Sequence, residues 1–255
     1  MKKLALIAIV LLAGYACKKK ETKEEETPVT PPTSNPAAPV FFINIPSDAD
    51  GVLMATVTDH EFTNFYVTQL GKASAFFYTA PGNYNYVDAG VVKCNDSVLV
   101  KQSSGSYLYN GKPINGQPIS GIQYGSGFVW NVSGNTNVPA FTYTSTNFPS
   151  IAALTSATMI PKNNPYNVTF TGASNADSVV VMLTGDSTAI QKKTVGASSG
   201  VCNFTAAQIN AVKKQGSTSF PYVNFISYRI QANAVSTRKY YMIGSISSSY
   251  RVNIQ

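Results

Sequence analysis

The chain has 255 residues, 12% of them charged, and a formal net charge of +7. So few charges beside abundant Ser, Thr, Asn, Gly and Tyr point to an exported β-protein and argue against a helical bundle. The positive balance does not indicate a nucleic-acid partner, because the Lys and Arg residues beyond Lys2 and Lys3 are scattered rather than clustered.

Lys2 and Lys3 precede an apolar run over residues 4–13. That length suits the core of an export signal and falls short of the roughly 20 residues a membrane-spanning helix needs. Gly14, Tyr15, Ala16 and Cys17 come next. This GYAC resembles the lipobox of bacterial lipoproteins, in which cleavage just before the Cys frees its thiol and new amino group to carry acyl chains. Small residues occupy the first and third positions before the cut, and Gly14 stands where that family usually has Leu. The same pattern also suits an ordinary signal peptidase cutting at the same bond, which would leave Cys17 a free thiol. The resemblance implies a signal peptide over residues 1–16 and lipidation at Cys17. The membrane then becomes a partner through acyl chains worth about 0.8 kcal/mol per buried methylene.

Residues 18–39 carry almost no apolar side chain and are dominated by Lys, Glu, Thr, Pro and Ser. Such a composition cannot bury enough surface to offset its ordering entropy, so residues 17–39 are expected to be a disordered tether. Extended, it would reach on the order of 70 Å. Glu24, Glu25 and Glu26 resemble the acidic tag that sends lipoproteins of some Gram-negative lineages to the outer face, and they also suit a merely solvated charge run.

The remainder is expected to be all-β, as two β-sandwich domains over 40–148 and 149–255. In the first, FFINI, GVLMATVT, ASAFFYT, YVDAGVVK, SVLVKQ, SYLYN, GFVWNVS and PAFTYTS read as short strands between Gly, Pro, Asn and Asp punctuation. Asn95 with Asp96, and Pro81 with Gly82, are expected turns. In the second, ATMI, YNVTFT, SVVVML, AIQKKTV, VCNF, FPYVNFISYRI and RKYYMIGSISSSYRVNI make the strand count of an Ig-like or fibronectin III-like sandwich. One short helix is expected from Thr205, with Thr205 and Gln208 as a capping box and Gly216 closing the end. Cys94 and Cys202 each lie in an alternating stretch that suits a buried thiol, and in an oxidising compartment they could also pair.

Catalytic and metal motifs are weak. His60 is the lone histidine, between Asp59 and Glu61, without the further nitrogen or sulfur ligands a metal site needs. GASSG around Ser198 matches a nucleophile elbow, but it joins two strands rather than a strand and a helix and reads as a hairpin loop. Asp48 and Asp50 could begin a calcium loop whose other ligands do not follow. A glycosidase needs two facing carboxylates, and the acidic residues mostly sit beside turn residues. No enzyme activity, metal or cofactor is expected.

The aromatic content offers a binding site instead. In YTAPGNYNY, strand alternation puts Tyr84 and Tyr86 on one face, to stack on a sugar or pack on a core, and Asn83 and Asn85 on the other. Trp130 alternates with Phe128 and Val132 and is expected in a core. Asp-Ser at Ser97, Ser178 and Ser187 resembles the sequon at which some Gram-negative bacteria O-glycosylate exported proteins, and it is equally ordinary turn chemistry.

The lipobox-like GYAC, the tether and the paired sandwiches with an FTAAQ-type helix together resemble outer-membrane lipoproteins of Gram-negative bacteria. The resemblance implies an outer-membrane location, with the cell surface favoured over the periplasmic face and both left open. The expected function is a non-enzymatic binding or structural module for a glycan or envelope protein. A passive spacer in an envelope assembly is the alternative, and a glycan-active hydrolase a remote one.

Overall fold

The computed structural model describes residues 42–255 except 64–65, 110, 113, 115–118, 186–189 and 213–220, and the side chains of 59–63 and 66–68. The signal segment, Cys17, the tether, Ser187, Gly216 and the side chain of His60 lie outside the described residues.

Two long strands, β1 (Gly51–Thr63) and β2 (Tyr66–Ala80), form a hairpin. The short strands β3 (Asn83–Tyr86), β4 (Val92–Cys94), β5 (Ser97–Val98), β6 (Val100–Lys101), β7 (Tyr107–Tyr109) and β8 (Ile119–Gly121) follow. Next come β9 (Phe128–Val132), β10 (Phe141–Ser145), β11 (Ala152–Leu154), β12 (Met159–Ile160) and β13 (Tyr166–Gly172). Then β14 (Ser178–Thr184), β15 (Gln191–Gly196) and β16 (Val201–Phe204) lead to the helix α1 (Ala206–Val212). A second long hairpin, β17 (Tyr222–Val235) and β18 (Arg238–Arg251), and the short β19 (Asn253–Ile254) complete the chain.

The fold is all-β and sandwich-like. Its spine is one large sheet in the order β15-β14-β17-β18-β1-β2-β7-β6, with β3 and β8 also bonded to β2. Alternation gives this sheet two faces. On one face, Leu53, Ala55, Ala75, Phe77, Tyr240 and Met242 meet the four-stranded sheet β10-β9-β4-β5, which contributes Val92, Cys94, Phe128, Trp130 and Val132. On the same face, Val179, Val181, Leu183, Val223 and Phe225 meet the three-stranded sheet β11-β13-β16, which contributes Val168, Phe170, Cys202 and Phe204. The second arrangement sets the three short strands against β15, β14, β17 and β18, so it too is a sheet packed on a sheet.

The buried clusters change over between Phe148 and Ala152. The large sheet joins both clusters. β1 pairs with β18 in parallel over seven residue pairs, from Gly51 with Tyr240 to Val57 with Ile246. Tyr240 and Met242, far along the chain, therefore belong to the core built from the first half.

Local chemistry explains most turns and ends. Asn95 and Asp96 turn β4 into β5 with φ of 43° and 62°, which short polar side chains tolerate best after glycine. At α1, the Thr205 N–H donates to Gln208 Oε1 at 3.0 Å and the Gln208 N–H to Thr205 Oγ1 at 3.3 Å, the reciprocal capping box. Ile209 and Val212 then fasten the helix to the second core.

Three expectations need correction. Residues 42–45 of FFINI are not a strand; they cross the sheet face as an irregular strap, with Ile43 inserted into a core and Pro46 unable to donate to a ladder. β8 and β11 were not anticipated, being three-residue strands too short to show a period. GASSG is not a hairpin loop, because β15 bonds β14 whereas β16 bonds β13, so the 3-10 turn at Ala197–Ser199 carries the chain between sheets.

Candidate functional site, a groove under the strap

The second face of the large sheet is only partly covered. Ile43 and Ala49 of the strap, with Val52, Tyr78, Val180, Tyr228, Tyr241 and Ile243, make a third core there. Beyond this core the strap leaves a groove of about 350 Å³ lined by Phe42, Ile43, Met54, Thr56, Thr58, Met182, Asn224, Phe225, Ile226, Ser245, Ser247 and Ser249. That volume is at the lower end of the roughly 300–1,000 Å³ typical of ligand pockets.

Registers assemble the floor. Thr56 lies opposite Ser245 on the β1–β18 seam, and Ser247 and Ser249 lie opposite Ile226 and Asn224 on β17. Asn224 in turn faces Met182 on β14. Thr56 Oγ1 and Ser245 Oγ are 3.0 Å apart, Ser249 Oγ donates to Asn224 Oδ1 at 2.6 Å, and Asn224 Nδ2 donates to Thr184 Oγ1 at 2.9 Å. The polar floor is thus a row of neutral hydroxyls and a carboxamide. Met54, Met182, Ile226, Ile43 and the half-exposed Phe42 form the apolar part. None of the lining side chains among the described residues is ionisable; Lys192 stands at the rim, its ammonium donating to the Phe42 carbonyl at 3.4 Å. Such a surface can hold a ligand through dispersion and neutral hydrogen bonds.

Ionic contacts fasten the strap. Lys239 Nζ lies 2.7 Å from Asp48 Oδ2, and the Tyr241 hydroxyl donates to Asp48 Oδ1 at 2.7 Å. Asp50 accepts the Lys239 N–H at 2.8 Å and pairs with Arg238 at 3.4 Å. The hydrogen bond from Lys239, then that from Tyr241, holds the Asp48 carboxyl below its ordinary range. The Asp-rich turn is thus latched to β18 by Lys239, Tyr241 and Arg238. Among the described residues no group of three or more metal-ligating side chains occurs.

Tyr84 and Tyr86 do share a face, as alternation requires, but they do not present one flat platform. Tyr84 meets the Tyr78 ring edge-on at 88° and 5.4 Å, whereas Tyr86 stacks on Tyr78 at 27° and 5.9 Å. Both are half-buried beside the third core, and burial pushes the Tyr86 phenol up. Asn83 Oδ1 accepts the Asn85 N–H at 3.1 Å, a local turn bond. Ser97 lies on β5 at the edge of the four-stranded sheet, while Ser178 opens β14 inside the large sheet, paired to β15 and β17. Trp130 is fully buried, as expected. Cys94 and Cys202 are free and buried in different cores.

Sequence reasoning passed over the groove. Its trace was nevertheless present in GSISSS and ATVT, where hydroxyls alternate along strands at positions that usually carry charge when a face is solvated.

No family model matches this chain, and no curated protein matches it either. Among the described residues no helix is long and apolar enough to cross a membrane. Function must be argued from the chain's own residues.

Proposed function

We propose that the protein is a non-enzymatic binding module of the cell envelope, held at the outer membrane by acylation of Cys17, with the groove under the strap as its binding surface. The observation that carries the binding part is that groove, a preformed concavity with a neutral polar floor and an apolar wall. GYAC and the tether composition support the anchor. The test compares retention of the purified Cys17→Ala chain, which carries no acyl anchor, on isolated cell envelopes with and without Ser247→Trp, which fills the floor. Loss of retention supports the reading, and equal retention moves the function to another surface. For the anchor, an alkynyl fatty acid fed to expressing cells should label wild type and not Cys17→Ala; an unlabelled wild type rejects it.

The assembly-subunit reading draws on a different feature. Val91, Val98 and Val100 are each more than half exposed along the segment where β5 bonds β4 and β6 bonds β7. Exposed apolar side chains at a sheet edge suit a protein neighbour. The hydrolase reading would require two carboxylates across one cleft, whereas Asp48 and Asp50 are drawn to Lys239 and Arg238 and Asp88 to Lys101.

A further inference from the structure

We infer that the groove takes a neutral saccharide, with hydroxyls on the Ser/Thr/Asn floor and a C–H face against Phe42 and Met182. This rests on the groove being the binding surface and names the chemistry of its ligand.

The bonding capacity of the floor carries the argument. A hydroxyl offers one donor and two acceptor sites, and a carboxamide two of each. The Thr56–Ser245 bond uses one donor and one acceptor, and because Ser245 is buried it is the half-buried Thr56 that presents the remaining capacity to the groove. Asn224 gives one N–H to Thr184 and receives one bond from Ser249, keeping one donor and one acceptor site. The floor therefore both gives and receives, as sugar hydroxyls do. An acyl chain would cover these groups with hydrocarbon and strip their water without replacing it. Among the described residues, an acidic ligand would find no cation in the lining, only Lys192 at the rim. The wall complements the other half of a sugar. Phe42 is 48% exposed although it stands beside the buried Ile43, leaving an aromatic surface open at the groove. The latch through Asp48 and Asp50, with the buried Ile43, ties the strap to the sheet.

The test is calorimetric titration of the full chain with cellotetraose, maltotetraose and chitotetraose as neutral probes, trigalacturonate as the acidic probe and palmitate as the acyl probe. At least one neutral tetrasaccharide should bind with Kd of about 1 mM or tighter. Phe42→Ala and Ser249→Ala should each weaken it about tenfold. Both side chains lie on the surface, and an unchanged unfolding midpoint verifies that the fold is intact. Binding of a neutral sugar that neither substitution affects would put the site elsewhere and overturn the inference. Binding of trigalacturonate or palmitate alone, weakened by the same substitutions, would overturn the saccharide assignment and leave the groove as the binding surface. Failure of every probe at about 10 mM would overturn the saccharide assignment; if Ser247→Trp also left envelope retention unchanged, the groove reading would fall with it.

Discussion

Thr56 and Ser245 are 189 positions apart in the chain, yet their hydroxyls meet at 3.0 Å across the parallel seam of β1 and β18. That contact belongs to the groove floor and to the junction of the two halves at once. The site therefore exists only when the first strand and the last long hairpin are paired.

Coupling of the halves is measurable at Tyr240. Its ring is fully buried, stacked on Phe141 at 4.9 Å and edge-on to Phe77 at 5.9 Å, so a β18 residue fills the first-half core. Tyr240→Ala should cost about 3–5 kcal/mol, the range for deleting a buried aromatic ring. Calorimetry should show one transition shifted down as a unit. Two transitions, with the second-half one unmoved, would show that the seam does not couple the halves. Tyr240→Phe should be neutral or mildly stabilising, because the Tyr240 hydroxyl is buried without a partner among the described residues.

The thiols should be inert. Burial pushes Cys94 up to about 12 and Cys202 upward, which depletes the reactive thiolate at neutral pH. With Cys17 replaced by Ala, a thiol-reactive chromophore at pH 8 should find essentially no free thiol in the native protein and two in denaturant. Finding none in denaturant without reductant would instead reveal a disulfide and contradict two free buried thiols.

Acid should loosen two surface contacts. Hydrogen bonding, from Lys101 first and then Tyr107, depresses the Asp88 carboxyl far below its ordinary 3.8, and Lys239 and Tyr241 depress Asp48. A carboxyl with a lowered folded-state value contributes stability above its unfolded value, and that contribution is lost as pH falls through the folded value. The melting temperature of the wild type should therefore fall more steeply below about pH 4 than that of Asp48→Asn/Asp88→Asn. Both groups are solvent-exposed, so the difference should shrink in about 1 M salt. Parallel acid limbs for the two proteins would show that these pairs carry no stability.

A glycine pair provides a steric test. A Cβ at Gly71 would run into the Ile122 carbonyl, where the Ile122 N–H already donates to the Gly71 carbonyl at 3.1 Å. At Gly196 a Cβ meets nothing within 4 Å. Gly71→Ala should lower the unfolding midpoint strongly by forcing β8 off β2, while Gly196→Ala should stay within about 0.5 kcal/mol of wild type. Equal midpoints would mean that the β2–β8 contact yields freely.

Much of the local structure was legible in the residues themselves. The alternation of GVLMATVT, SVVVML and GFVWNVS marks strands, Asn95-Asp96 and Pro81-Gly82 mark turns, and Thr205 with Gln208 marks a helix start. In each case the physics acts within a few residues: side-chain alternation, tolerance of positive φ, a reciprocal cap. Pairing β1 with β18 in parallel, laying the strap over the sheet and drawing Asp48 to Lys239 were decided only by tertiary structure. Alternation tells a strand which side chains share a face but not which strand lies beside it, and a polar row becomes a floor only when a distant segment supplies the wall. Tyr84 and Tyr86 illustrate the limit: the sequence puts them on one face, and the buried Tyr78 ring decides their angles, one edge-on and one stacked.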